Sequence, residues 1–210
     1  MTLDAALGAC PIVAILRGVR PDEATDQVAA LFDAGIRVVE VPLNSPRPLE
    51  SIAAIATAFE GRMAVGAGTV LTAEDVRAVA GAGATFTVAP NTDPAMIRAA
   101  LALGLDPAPG FATATEAFAA YGAGARRLKL FPAATYGVGH LRQLTAVLPP
   151  DAQVWAVGGV GPDSFAAWWD AGAAGFGVGG ELYRAGQDAT TTAAKAATAV
   201  AAAKACASTG

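Results

Sequence analysis

One pattern of polar and apolar positions recurs along the chain. An amphipathic segment ends in a small residue and a glycine, and a short apolar run follows at once. It occurs as Asp33-Ala34-Gly35 before Ile36-Arg37-Val38-Val39, and as Gly81-Ala82-Gly83 before Ala84-Thr85-Phe86-Thr87-Val88. It returns as Ala102-Leu103-Gly104 before Leu105, as Gly122-Ala123-Gly124 before Ala125, and as Asp170-Ala171-Gly172 before Ala173. Glycine at a helix C-terminus takes the left-handed conformation at no steric cost and turns the chain into a strand. The separations of these glycines, 48, 21, 20 and 48 residues, read as two, one, one and two units of a strand-plus-helix repeat. Helix starts agree. Pro21-Asp22-Glu23, Thr72-Ala73-Glu74-Asp75, Thr92-Asp93-Pro94, Thr113-Ala114-Thr115-Glu116 and Gly161-Pro162-Asp163 each put a cap, an acid or a proline in a first turn. Strands are predicted at 12–16, 36–41, 63–67, 85–89, 105–107, 126–130, 153–157 and 175–178. Apolar strands alternating with helices imply a parallel sheet, and eight such units imply an α/β fold of the (β/α)8 TIM-barrel class. The competing fold is a doubly wound open sheet, but the chain has no GxGxxG or P-loop signal.

A length of 210 residues predicts a single domain over 1–210, with 188–210 as an Ala-rich C-terminal helix and tail. The segment Thr190 to Cys206, which carries Lys195 and Lys204, reads as a helix with one edge in solvent. Hydrophobic residues make up 54%, yet every apolar stretch is broken by Gly, Pro or charge well short of the ~20 residues of a membrane span. The start, Met1-Thr2-Leu3-Asp4, has neither a basic region nor a long apolar core, so no secretory leader is expected and a cytoplasmic location is. A net charge of -4 without a basic run argues against nucleic acid as a partner. An anionic ligand would need locally placed donors. Cys10 and Cys206 sit at opposite ends with no metal-ligand spacing, and the single histidine, His140, leaves little room for zinc or histidine chemistry.

In a barrel of this kind the active site lies at the C-terminal ends of the strands. Lys129 is the most informative residue there. The chain has three lysines and the other two lie in the tail helix. Strand alternation turns Leu128 and Leu130 to the helix layer and Lys129 into the barrel. Desolvation lowers a lysine pKa and makes the amine a nucleophile. The competing reading is a lysine paired with a carboxylate or reaching the surface. Glu40, within Val38-Val39-Glu40-Val41-Pro42, is a proton-relay candidate, or else an ion-pair partner of Lys129 or Arg17. Arg17 ends strand 1 and suits a carboxylate or phosphate, with Glu40 as its competing partner. Gly158-Gly159 and Gly179-Gly180, after strands 7 and 8, read as a phosphate cradle or as simple tight turns. Thr69, Pro90, Asn44, Phe131 and Val157 complete the candidates at strand ends. Trp168 and Trp169, after Phe165, read as a packed helix face, with a subunit contact as one use for it. His140 reads as exposed at a helix start. Arg126-Arg127 opens strand 6 at the opposite end of the barrel and reads as surface.

With these residues in hand the chain resembles the 2-keto-3-deoxy-6-phosphogluconate/6-phosphogalactonate aldolase family, from about Pro11 to Gln187. The resemblance rests on Ala14-Ile15-Leu16-Arg17-Gly18, Val39-Glu40-Val41-Pro42-Leu43-Asn44-Ser45, Gly66-Ala67-Gly68-Thr69-Val70, Leu128-Lys129-Leu130-Phe131-Pro132, Ala156-Val157-Gly158-Gly159-Val160 and Gly180-Glu181-Leu182-Tyr183-Arg184-Ala185-Gly186. It implies a class I aldolase with Lys129 as the Schiff-base lysine and Glu40 as acid/base. It also implies a phosphorylated keto-deoxy sugar acid as substrate, a homotrimer, and neither metal nor cofactor. Val157 stands where gluconate-type members have Thr, and Asn44 where they have Arg, so the galactonate branch is the nearer one. Gly179-Gly180 stands where relatives often place Ser, which leaves backbone donors for phosphate. Three rival readings remain: the same reaction on the gluconate epimer, a phosphosugar isomerase using Glu40 as base, and a non-catalytic phospholigand-binding barrel.

Overall fold

The computed structural model describes residues 1–207. Among them nine strands, all paired in parallel, form one sheet: β1 (Ile12–Ile15), β2 (Val38–Pro42), β3 (Ala64–Gly68), β4 (Phe86–Val88), β5 (Asp106–Ala108), β6 (Gly110–Phe111), β7 (Arg127–Leu130), β8 (Gln153–Val157) and β9 (Gly175–Val178). Their order is β5-β4-β3-β2-β1-β9-β8-β7-β6. The two ends of that list are consecutive in the chain, so the sheet curls into the expected single-domain TIM barrel. Nine segments replace eight because β5 and β6 are one barrel strand interrupted at Pro109. Proline donates no hydrogen bond and breaks a ladder. The first half therefore pairs with β4 and the second with β7, and the Lys129 N–H donates to the Pro109 carbonyl at 2.8 Å across the break.

The helices around the barrel are α2 (Pro21–Ala34), α3 (Pro48–Ala58), α4 (Ala73–Gly81), α5 (Pro94–Ala102), α6 (Ala114–Gly122), α7 (Ala133–Tyr136), α8 (Val138–Thr145), α9 (Phe165–Asp170) and α10 (Ala189–Ala207). The caps fall where the sequence placed them. Thr72 and Thr113 close capping boxes with Asp75 and Glu116, Asp93 caps α5 ahead of Pro94, and Pro21 opens α2. The five repeating glycines all have positive φ, from 74° at Gly104 to 111° at Gly124. The tail helix exists and buries Ala196, Ala199 and Ala203 along one face, while residues 208–210 of the expected tail lie outside the described residues.

Two buried clusters follow from strand alternation. Leu128, Leu130, Phe176 and Val178 belong to the layer between sheet and helices, where Phe165 of α9 stacks on Phe176 at 4.1 Å. Val13, Ile15, Val38, Phe86, Val88, Trp155 and Val157 fill the barrel interior. Each such side chain contributes roughly 1.5–3 kcal/mol through burial. The sequence reading missed α1 (Leu3–Ala9), a short helix that brings Leu3, Ala6 and Leu7 into the interior cluster. Arg127 also departs from the surface expectation. It is 6% exposed and pairs with Asp4 of α1 and Asp106 of β5, because β7 turns Arg127 inward just as it turns Lys129. Arg126 is the exposed member of the pair. His140 is half-buried, not exposed: its Nε2 bonds the Ala112 carbonyl at 2.6 Å and its ring stacks on Tyr136. Trp168 is buried as a packed helix face predicts, and Trp169 lies against Phe176.

Candidate active site

Lys129 occupies the third position of β7 and is 6% exposed; Glu40 occupies the third of β2 and is 3% exposed. Both border one cavity of about 500 Å³ at the C-terminal ends of the strands. Trp155 of β8 is the register partner of Lys129, and its buried ring meets Phe86 edge-on in the barrel interior. The Nζ atom lies 4.5 Å from the centroid of Phe131, which walls the same cavity. That surrounding accounts for the electrostatics. Burial drives the Lys129 pKa below the ordinary lysine value; the Glu40 charge opposes this and the Arg17 charge adds to it. Burial raises the Glu40 pKa, against the pull of Lys129 and then Arg17. Glu40 Oε2 is buried without a hydrogen-bond partner among the described residues, an acceptor aimed into a low-dielectric site.

The room for Glu40 is provided by Gly68. A Cβ at that position would stand 2.5 Å from Glu40 Oε2, closer than any real contact, so a side chain on the neighbouring strand would evict the carboxylate. On the opposite wall Gly158 and Gly159 have φ of 95° and 70°, and a Cβ on Gly159 would meet Ala134 at 2.6 Å. This turn brings main chain, rather than side chains, to the cavity beside Gly179 and Val157. Thr69 borders the cavity at φ 58°, a left-handed conformation that a β-branched residue rarely adopts and that costs on the order of 1–2 kcal/mol.

Of the candidate residues, Arg17, Glu40, Thr69, Lys129, Phe131, Val157, Gly158, Gly159 and Gly179 line this one cavity. Three do not. Pro90 is half-buried beyond β4, with its carbonyl tight against Gly110. Gly180 is exposed and accepts a hydrogen bond from Arg184. Asn44 is exposed and bonds Arg17: the Arg17 Nη1 donates to Asn44 Oδ1 at 2.8 Å. Arg17 therefore takes Asn44 rather than Glu40 as its partner, and acts on Glu40 and Lys129 as a charge through space.

The chain matches the family described as aldolase, KDPG and KHG aldolase, over residues 3–196. It belongs to that family. The 2-dehydro-3-deoxy-6-phosphogalactonate aldolase of Escherichia coli (strain K12) is 51% identical over 187 residues, covering 89% of this chain and 91% of that protein. The KHG/KDPG aldolase of the same organism is 31% identical over 157 residues, covering 74% and 72%. A solved structure described as native KDPGal superposes with a TM-score of 0.93 at 49% identity, covering 94% of this chain and 96% of the other.

Within this aldolase-family barrel the sequence reading missed Ile15, Val160 and Gly177, all of which line the cavity. The alternation that turned Lys129 inward would have found two of them. Ile15 follows inward Val13 by two positions, and Gly177 precedes Gly179 by two. Val160 sits in the loop after β8, where no period applies.

Proposed function

We propose that this chain is a Schiff-base aldolase that cleaves 2-dehydro-3-deoxy-6-phospho-D-galactonate to pyruvate and D-glyceraldehyde 3-phosphate. The reading is carried by one observation: a buried amine of lowered pKa and a buried carboxylate of raised pKa share a cavity with a glycine-built wall. Lys129 adds to the carbon-2 ketone and loses the oxygen as water, leaving an iminium ion. Glu40, through a water, takes the carbon-4 hydroxyl proton. The carbon-3 to carbon-4 bond then breaks, and its electrons flow into the iminium to give the pyruvate enamine. Protonation at carbon 3 by the same relay and hydrolysis of the imine return the free lysine and pyruvate. Arg17 and Thr69 hold the carboxylate end, Phe131 excludes water, and the main chain at Gly158, Gly159 and Gly179 receives the phosphate. Pro90, Asn44 and Gly180 stand one step outside the cavity.

The galactonate epimer is favoured by Val157 in the cavity wall, a side chain that offers no hydroxyl to the carbon-4 oxygen, and by the greater identity to the phosphogalactonate enzyme. The homotrimer and the cytoplasmic location belong to the same proposal. The trimer has support in large apolar side chains that a single chain leaves exposed, such as Leu101, Leu103 and Phe118. No helix of the described residues is long and apolar enough to cross a membrane.

Borohydride reduction in the presence of pyruvate tests the chemistry. Intact mass should increase by one reduced pyruvyl adduct, and peptide mapping should place it on Lys129. A folded protein that gains no adduct refutes the scheme. A lactate-dehydrogenase-coupled assay on both carbon-4 epimers then ranks the substrates.

A further inference from the structure

Two loops at the cavity mouth are stitched together side by side. The Arg17 guanidinium donates to Asn44 at 2.8 Å, and the next residue, Gly18, donates its N–H to Ser45 Oγ at 2.9 Å. The Asn44-Ser45 segment is itself held by main-chain bonds, Leu43 N–H to the Gly68 carbonyl at 2.8 Å and Ser45 N–H to the Pro42 carbonyl at 2.9 Å. The Arg17 loop closes a tight turn of its own, with Val19 N–H bonded to the Leu16 carbonyl at 3.2 Å and Gly18 at φ 84°. Ser45 is buried, whereas Asn44 and Arg17 are exposed. Asn44 does not border the cavity, and Arg17 does.

We propose that Asn44 is a positioning residue that, with Ser45 bracing the adjacent peptide, aims the Arg17 guanidinium over the cavity to receive the carboxylate of the substrate. This rests on the proposed aldolase reading and assigns Asn44 an indirect part in it. A guanidinium carries its donors in one rigid plane, so a single fixed bond orients the remaining fork. An arginine on a free stem must lose that rotational freedom when the anion arrives; one already held loses less. The identity of the residue matters as well. An amide oxygen accepts the bond and leaves the positive charge intact, whereas a carboxylate at the same place would offset it. Both side chains are exposed, so the bond adds little to folding stability.

A double-mutant cycle decides the matter, using the wild type, Asn44→Ala, Arg17→Ala and the double variant. Three quantities are measured: KM and kcat for cleavage, and the pyruvate concentration giving half-maximal borohydride trapping. Pyruvate carries the same carboxylate end, so both concentration readings should move together. Asn44→Ala should raise each by about fivefold to tenfold with kcat within about twofold, and should change neither further when Arg17 is already Ala. Thermal melting should be unchanged, because residue 44 is exposed. An Asn44→Ala protein with wild-type constants overturns the proposal. So does an equal loss on the Arg17→Ala background, which would mean that Asn44 meets the substrate itself. Wild-type protein that shows neither trapping nor turnover overturns the aldolase reading and this assignment with it. Wild-type activity with an additive cycle overturns this assignment alone.

Discussion

Arg127 and Lys129 stand two residues apart on β7, face the same way, and are each 6% exposed. Their surroundings differ completely. Arg127, at the N-terminal end of the barrel, is met by two carboxylates, Asp4 of α1 and Asp106 of β5. Lys129, at the C-terminal end, has an aromatic wall, a main-chain turn and a single carboxylate that is itself desolvated. A guanidinium keeps its proton in proteins, so a buried one requires counter-charge. An amine can give up its proton, so a buried one can be left short of counter-charge and become a nucleophile. One strand thus carries a guanidinium fastened by two carboxylates and an amine whose pKa is lowered by burial, at opposite ends of the barrel.

Methionine at each position should affect the two ends of the barrel in opposite ways. Lys129→Met should lower aldolase turnover by at least about three orders of magnitude and leave Tm at neutral pH equal or higher. The stability sign follows from the lowered Lys129 pKa. Between that value and the ordinary lysine value the unfolded chain binds more protons than the folded one, so stability rises with pH across the window, and below it the buried ammonium is a cost. A drop in Tm like that of an Arg127 variant would show that Lys129 is a structural cation after all. Next in size, Glu40→Gln should reduce kcat by about 100-fold or more. It should also remove one ionisation from the acid limb of the kcat/KM profile and leave the other, since in the proposed scheme Lys129 must be neutral to add to the ketone. The ionisation that is lost lies above the usual carboxylate range, because burial raises the Glu40 pKa. An acid limb unchanged by the substitution would show that Glu40 does not contribute to it. The smallest effects belong to the lower end. Arg127→Met should cost about 2 kcal/mol, or about 5 °C in Tm, with kcat within about twofold. Asp4→Asn should cost only about 0.5 kcal/mol, because the Asp4 side chain is 75% exposed. Thermal melts beside the coupled assay separate the two ends, and an Arg127→Met protein of full stability but lost activity would reverse the assignment.

Much of the cavity was legible because it depends on strand phase. Once Leu128 and Leu130 are assigned to the helix layer, Lys129 has one direction left to point, and the same rule places Glu40, Val157 and Gly177. The rule also applies to Arg127, where it competes with the expectation that charge near a strand start is solvated. What overrides that expectation is α1, whose Asp4 lies 123 residues away in the chain. Asn44 illustrates the opposite case. Its motif pointed to the site, and only the bond to Arg17 separates a residue that supports the cavity from one that lines it.

The sequence alone determined the repeating unit, the turn glycines, the helix caps and the inward face of each strand. These are set by steric and hydrogen-bonding preferences within a few residues of each position. The tertiary structure decided that the ring closes through a strand broken at Pro109, that Glu40 and Lys129 share one cavity, that Gly68 leaves room for that carboxylate, and that Arg127 is fastened while Lys129 is not. Each of those outcomes is a short distance between segments far apart in the chain. Charge interactions and close packing change over a few ångströms, and such distances exist only once the barrel has closed.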